Sequence, residues 1–472
     1  MEFRLLTEVP INHTGPSFEL EGRQWSITEP LDIVSEGAQI PEYTCVSYVW
    51  GPGRAPSPMA NVMMSDHTLP ALRAVLRNHP CRKIWQDIFC VPLDRKSKRA
   101  TLESMGFIYA HAAQVIAVLS EESLRAFDAM TRWNEGNFPD FSVLDIFEND
   151  SWIRSVWTYQ EVTNSKRLYF VGENVNNMVV DGQNFFNSFG HVLQAFRKRN
   201  ELDAFQFHVR YPFLDSFEDV LVDWFMGDFG ERSVFRVLSS MSMRVWQEET
   251  NYFYAMIGTI VKRPSQRSSD PTIETLADAF MTICENKGDY SFIYTSNERD
   301  MRPGYAWRPA RQILRPILAW HCYGDNQPGY RDASGMLVLK GLALLTPCSR
   351  VGAGGREMLR ERRWLPSVAD YSDEDLEMVL QENLRKLGFN GCGAAITMEE
   401  GVFFPQQHIP PEADVQFWAS TSLQWTMGAP GLVVICHAGS RMYVPGVYLG
   451  VKMDPIHASD LLIEDAMHHG HL

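Results

Sequence analysis

Apolar and polar positions follow two different periods along the first third of the chain. Thr44–Trp50 (TCVSYVW) is a β-branched and aromatic run that stops at Gly51-Pro52-Gly53, a turn signal that predicts a strand end. Leu69, Leu72, Val75 and Leu76 then recur at helical spacing, closed by Asn78 to Pro80. Ile84–Val91 (IWQDIFCV) reads as a buried strand. Arg99–Ala113 carries Leu102, Met105, Ile108, Tyr109 and Ala112 on one helical face, and Gln114–Leu119 (QVIAVL) reads as another buried strand. Leu144, Ile146 and Phe147 mark a helix, a second runs from Trp152 to about Thr163, and Arg167–Val171 is a strand. Strands separated by helices of about 10–15 residues predict parallel pairing with helices on both faces, an α/β fold. Ligands in such sheets bind beyond the carboxyl ends of the strands, where Gly51 and Cys90-Val91-Pro92 fall.

The pattern changes twice further on. From about residue 182 to 320 it is mostly helical, with Phe235–Met243, Asn251–Ile260 and Leu276–Asn286 as the clearest segments. Beyond residue 330 short strands dominate: Met336–Leu344, Ala394–Met398, Leu432–His437 and Arg441–Val451, interrupted by a helix at Asp373–Leu387. The expected organisation is an α/β domain over 1–180, a mostly helical extension over 181–320 and a β-rich region over 321–472.

Composition narrows the function classes. With 45% hydrophobic and 21% charged residues the chain can bury a sizeable core, which excludes general disorder. Its 43 basic against 58 acidic residues leave −15, which argues against a nucleic-acid binder working through bulk charge. The eight cysteines form no Cys-x-x-Cys pair, so neither a zinc framework nor a disulfide framework is indicated. No secretory pattern opens the chain, and runs such as Gly431–Cys436 fall far short of the ~20 residues that span a bilayer, so a cytoplasmic protein is expected. His457, His468, His469 and His471 offer metal ligands, although terminal histidines are usually solvated.

Candidate chemistry gathers in three segments. In Ser151–Glu161 (SWIRSVWTYQE), a continuous helix would put Trp157 and Glu161 on one face, with Arg154 three residues before Trp157. The indole would stack on a base, the guanidinium would meet phosphate and the carboxylate would engage ribose hydroxyls. The same pattern also suits core packing, with Arg154 and Glu161 as surface charges. In Tyr43–Gly51, the Trp50-Gly51 pair offers either close backbone approach to a ligand or an ordinary strand end. Asp87, inside a strongly apolar segment, needs a partner or a job, and structural hydrogen bonding competes with catalysis for it. Cys90 is a poor nucleophile candidate, because no neighbouring Lys or His in sequence would lower its pKa.

These three segments, in this order, resemble the fungal heterokaryon incompatibility (HET) domain. Ser47-Tyr48-Val49-Trp50-Gly51 matches its Ser-Tyr-x-Trp-Gly block. Trp85, Asp87, Cys90 and Val91 fit the Trp-Ile-Asp-x-x-Cys-Ile-Asn-Gln block, followed by Met105-Gly106 and Ile108-Tyr109. Trp152, Trp157, Thr158, Gln160 and Glu161 fit the Trp-x-x-Arg-x-Trp-Thr-x-Gln-Glu block, with Arg154 displaced from the family's arginine. Downstream, Arg244 and Asn251–Gly258 look like a further family segment. The chain departs from the pattern at Pro92-Leu93, where the family has Asn-Gln, and in the basic run Arg95, Lys96, Lys98 and Arg99.

The resemblance implies a role in non-self recognition, in which fusion of unlike cells triggers programmed cell death. It implies a fold similar to the Toll/interleukin-1 receptor (TIR) domain, a flavodoxin-like α/β sandwich. The Trp157-x-x-x-Glu161 spacing is similar to that of NAD-cleaving TIR domains, which makes Glu161 the candidate catalyst. Trp50, Gly51, Asp87, Arg154 and Trp157 become candidate substrate-binding residues, Trp50 and Trp157 by stacking and Arg154 on the pyrophosphate. NAD enters as substrate, with no resident cofactor or metal. Activation would involve a protein partner or self-assembly, without nucleic acid or membrane. The competing expectation is a non-catalytic signalling or scaffold domain that acts by assembly.

Overall fold

A computed structural model of the chain describes residues 1–33, 35, 38–59, 62–132, 142–199, 204–261, 271–302, 304–320, 324, 326–361, 372–425, 428–437 and 440–463. The C-terminal histidines 468, 469 and 471 lie outside the described residues. Contacts divide the chain into two compact units: Met1–Leu202 with Val220–Phe229 and Arg244–Asp270, and Asp203–Asp219 with Gly230–Met243 and Pro271–Leu472.

In the first unit the chain runs β1 (Leu6–Val9), β2 (Phe18–Leu20), β3 (Arg23–Ile27), β4 (Thr44–Ser47), β5 (Arg54–Pro56), β6 (Met63–Ser65), α1 (Thr68–Asn78) and β7 (Lys83–Trp85). It continues with α2 (Asp87–Cys90), α3 (Arg95–Glu103), α4 (Met105–His111), β8 (Gln114–Leu119), α5 (Glu121–Thr131), α6 (Ser142–Asn149), α7 (Ser151–Arg154), α8 (Val156–Thr163), β9 (Leu168–Gly172) and β10 (Val179–Asp181). The main sheet has eight strands in the order β10-β9-β8-β4-β7-β1-β3-β2, and β5 and β6 form a separate ribbon.

Its centre is the expected parallel array. β4 pairs in parallel with β7 and β8, and β8 pairs in parallel with β9. These strands read as unbroken apolar runs because both of their faces are covered. α1 packs on β4, β8 and β9, and α4 and α8 pack with the helix Glu249–Ile260. The sheet as a whole is mixed, however, because β1, β2, β3 and β10 add antiparallel strands at its two edges. The β2–β3 hairpin turns on two residues, Glu21 at φ +52° and Gly22 at φ +68°, the geometry that matches the twist of a tight hairpin.

Two helices cross closely where α4 meets Glu249–Ile260. A Cβ on Gly106 would fall 1.7 Å from the Gly258 carbonyl oxygen, and one on Gly258 would fall 1.8 Å from Gln160 Oε1. Only glycine admits this approach, which brings α4 and α8 together behind the sheet.

The second unit carries helices at Val234–Ser242, Ile273–Lys287 and Asp373–Lys386. It also holds β11 (Gly329–Arg331), β12 (Leu337–Leu345), β13 (Ile396–Met398), β14 (Gly401–Pro405), β15 (Asp414–Ser420), β16 (Gly428–His437), β17 (Ser440–Gly450) and β18 (Ser459–Ile463). All pair antiparallel in the order β11-β12-β15-β16-β17-β14-β13, with β18 on β12. Phe403, Phe417, Val433, Ile435 and Tyr448 form part of its core. The buried Arg308 guanidinium ties the loop before β11 to the helix Ile273–Lys287, bonding Asp278 at 2.9 Å and Glu285 at 2.5 Å. Among the described residues no helix is long and apolar enough to cross a membrane.

Candidate functional site

Two strand ends build the site. β4 ends at Ser47, and Tyr48, Trp50 and Gly51 follow in the loop beyond its carboxyl end. β7 ends at Trp85, and Asp87 follows at once. Asp87 is therefore not embedded in a strand, as the apolar run Ile84–Val91 suggested, but opens the helical turn α2. Gln86 is extended and stands between the strand and α2 as its N-cap residue, and the Asp87 carboxylate accepts from the backbone N–H of Ile88 at 2.8 Å. A short apolar run does not by itself distinguish a strand from a strand that passes into a helix.

Three donors hold the Asp87 carboxylate. Tyr48 Oη donates to Oδ1 at 3.0 Å, and the Trp50 indole N–H donates to Oδ2 at 2.9 Å, alongside the Ile88 N–H. Tyr48 also bonds Thr68 Oγ1 at 3.1 Å, which links the cluster to the first residue of α1. Burial nevertheless raises the Asp87 pKa, with the three hydrogen bonds opposing it.

Glu161 enters from α8 and lies against the end of β4. Its Oε2 accepts from Ser47 Oγ at 2.5 Å, and Ser47 Oγ in turn accepts from the Trp152 indole N–H at 2.8 Å. The Tyr109 hydroxyl, on α4, comes close enough to influence the same carboxylate and donates to the carbonyl of Val46 at 3.5 Å. Glu161 is 7% exposed. Its carboxyl is pushed up to about 7, first by burial and then by the charge of Asp87, against the lowering effect of the Ser47 hydrogen bond and of Tyr109. Two carboxyl groups from different elements thus stand at the carboxyl ends of adjacent parallel strands, and the charge of Asp87 bears on Glu161.

The helix expected from Trp152 to Thr163 is interrupted. Asp150 caps α7 by accepting from the N–H groups of Trp152 and Ile153, and Ser155 is extended (φ −70°, ψ 136°) and caps α8. The break is stitched to residues 244–245: Val156 N–H donates to the Val245 carbonyl, Val245 N–H to that of Arg154, and Arg244 Nη1 to those of Ile153 and Ser155. Arg154 therefore ends α7 and does not share the stripe of Trp157 and Glu161, which correctly lie one turn apart on α8. Trp157 is half-buried, and the Trp50 indole is 36% exposed.

The structure thus bonds Trp50 to Asp87, places Gly51 next to Trp50 and Glu161 at the end of the same strand β4, and puts Arg154 on α7, off the helix α8 that carries Trp157 and Glu161. Sequence reasoning passed over Ser47, Tyr48, Trp152 and Tyr109 as site members. Ser47 and Tyr48 sit within the Ser-Tyr-x-Trp-Gly block, so their polar groups on an otherwise apolar strand were the available signal. Tyr109 lay hidden in the apolar stripe of a helix. Comparison with curated proteins and with solved structures gives no match. Residues 43–161, which contain every one of these side chains, match the family model described as Heterokaryon incompatibility protein (HET).

Proposed function

We propose that the chain acts in heterokaryon incompatibility by cleaving the bond between nicotinamide and ribose in NAD, with Glu161 as the catalytic carboxylate. The observation that carries this reading is the placement of two carboxyl groups at the carboxyl ends of adjacent parallel strands, Glu161 buried against Ser47 at the end of β4 and Asp87 just beyond β7. The central strand order β7-β4-β8-β9 supports it, since numbering these strands along the chain gives 2-1-3-4, as in flavodoxin-like and TIR-like folds. In such sheets ligands lie beyond the carboxyl ends where the crossovers diverge, here beside β4.

The chemistry asks for such a pair. The nicotinamide ring of NAD is cationic and leaves neutral, so the departing group needs no strong acid. Charge instead builds on the ribosyl carbon, and a preorganised carboxylate stabilises it in a water-poor site. A cation beside a buried carboxyl favours its charged form, so the substrate's ring charge favours both binding and ionisation of Glu161. Trp50, anchored at one end by Asp87, offers its face for stacking. The test is direct: purified full-length protein is incubated with NAD, and nicotinamide and ADP-ribose are separated by chromatography. Wild type should release both, and Glu161→Gln should release neither. Retention of cleavage by that variant would refute the assignment.

A further inference from the structure

Beside this carboxylate pair lies a second set of side chains for which the proposed reaction has so far no use. His67 ends the turn between β6 and α1, and its Nδ1 lies 2.9 Å from Glu173 Oε1. Glu173 is the first residue past β9, and its backbone N–H donates to the carbonyl of Leu119, the last residue of β8. The pair therefore reaches from the loop beyond β4 to the ends of β8 and β9, across the point where the strand order changes direction. It is joined to the carboxylate site through the backbone. Ser65 Oγ accepts from the N–H groups of both Gly51 and His67 at 3.2 Å. The Cδ2–Nε2 edge of the imidazole rests on Gly51, where a Cβ would fall 2.3 Å from Cδ2 and 2.6 Å from Nε2. Residue 51 must be glycine for this ring to sit where it does, and residue 50 is the tryptophan that bonds Asp87.

We propose that His67, oriented by Glu173, is the general base that activates the acceptor water in the NAD-cleaving reaction. The assignment rests on the function proposed above. A carboxylate at Nδ1 takes that nitrogen's proton as a hydrogen bond and leaves the lone pair on Nε2. The His67 side chain is 45% exposed, and its Nε2, beside Gly51, has a carboxylate oxygen, Asp66 Oδ1, 4.0 Å away. The two acids of the carboxylate site are already engaged: Asp87 accepts three hydrogen bonds, and Glu161 accepts from Ser47. In the step itself the bond between ribosyl C1′ and the nicotinamide nitrogen breaks, and its electron pair leaves on nicotinamide. The water oxygen bonds C1′, and its proton passes to His67 Nε2 and then to solvent. NAD and water become nicotinamide, ADP-ribose and one proton. Glu173 touches no reacting atom and is a positioning residue.

The test uses the full-length protein, NAD and sodium azide. Azide is an anionic nucleophile that needs no deprotonation. His67→Asn keeps an amide N–H near the Nδ1 position for Glu173 and removes the base. Its formation of ADP-ribose in water should fall about 100-fold or more. Azide should restore nicotinamide release and yield ADP-ribosyl azide, which also reports an intact fold and an intact Glu161. Azide should not restore Glu161→Gln. Hydrolysis by His67→Asn at the wild-type rate, or failure of azide to restore it, would overturn the role of His67 while leaving the proposed function standing. A wild type that releases no nicotinamide in water or in azide would overturn both.

Discussion

Replacing Glu161 by glutamine separates the proposed catalysis from stability. The Glu161 carboxyl has an ordinary pKa of 4.5 and is pushed up to about 7 in the fold. Between those values the folded protein holds a proton that the unfolded chain has lost. The Glu161 contribution to stability is therefore fullest below pH 4.5, declines as pH rises towards 7 and levels off above it. At ~1.4 kcal/mol per tenfold change in proton affinity, the ionised carboxylate costs the fold about 3 kcal/mol at alkaline pH. Glutamine has nearly the same shape, still accepts from Ser47 through its carbonyl oxygen and never ionises. Relative to wild type, Glu161→Gln should gain roughly 3 kcal/mol at pH 8 and little at pH 5, a difference in melting temperature of about 6–10 °C for a unit of this size. Circular-dichroism melts of both proteins at pH 5, 6, 7 and 8, run beside NAD turnover, measure the two effects together. The reasoning fails if the stability difference is independent of pH, since the carboxylate would then not be carrying its burial cost.

Three further outcomes follow from the same contacts. Ser47→Ala removes a hydrogen bond that lowers the Glu161 pKa, and Asp87→Asn removes a charge that raises it, so the acidic limb of the pH–rate profile should move up in the first and down in the second. Shifts in the same direction would refute the coupling. Gly106→Ala and Gly258→Ala should each destabilise the first unit by about 1–3 kcal/mol or more in urea titrations, because the added methyl meets the Gly258 carbonyl oxygen or Gln160 Oε1. Arg308→Ala leaves the Glu285 carboxylate, only 14% exposed, without its main cation, and should cost about 3–5 kcal/mol, read as an earlier denaturation midpoint for the second unit.

Residue pattern alone located the elements that bury both faces. β4, β8 and β9 were legible because parallel strands read as apolar runs, and α1 because Leu72, Val75 and Leu76 keep the helical period ahead of Pro80. It missed β1, β2 and β3, whose three to five residues mix Glu, Arg and Gln with the apolar side chains they bury. It also drew one helix through Ser155, where a serine able to cap its own helix sits between Arg154 and Val156. The backbone bonds to residue 245 come from too far along the chain to be seen locally. The carboxylates were legible as candidates for a physical reason: an acid in an apolar segment demands an explanation. Their meeting was not, since Glu161 lies 74 positions beyond Asp87 and only the crossing of α8 over the end of β4 brings them near.

That cost of about 3 kcal/mol also bears on the choice between an enzyme and a scaffold. A domain that works only by assembling with a partner has no use for a glutamate that destabilises its own fold near neutral pH. An apolar or amide side chain of the same shape would pack behind Ser47 and Tyr109 at lower cost. A catalyst has such a use, because a carboxyl with a pKa of about 7 changes state at the pH where it works, and a cationic substrate can draw it into the charged form. The scaffold alternative therefore makes its own demand on Glu161→Gln: the variant should be more stable and fully active in the incompatibility response proposed for the chain. Stability gained with that response lost would instead favour chemistry, since no loss of folding could then account for the silence.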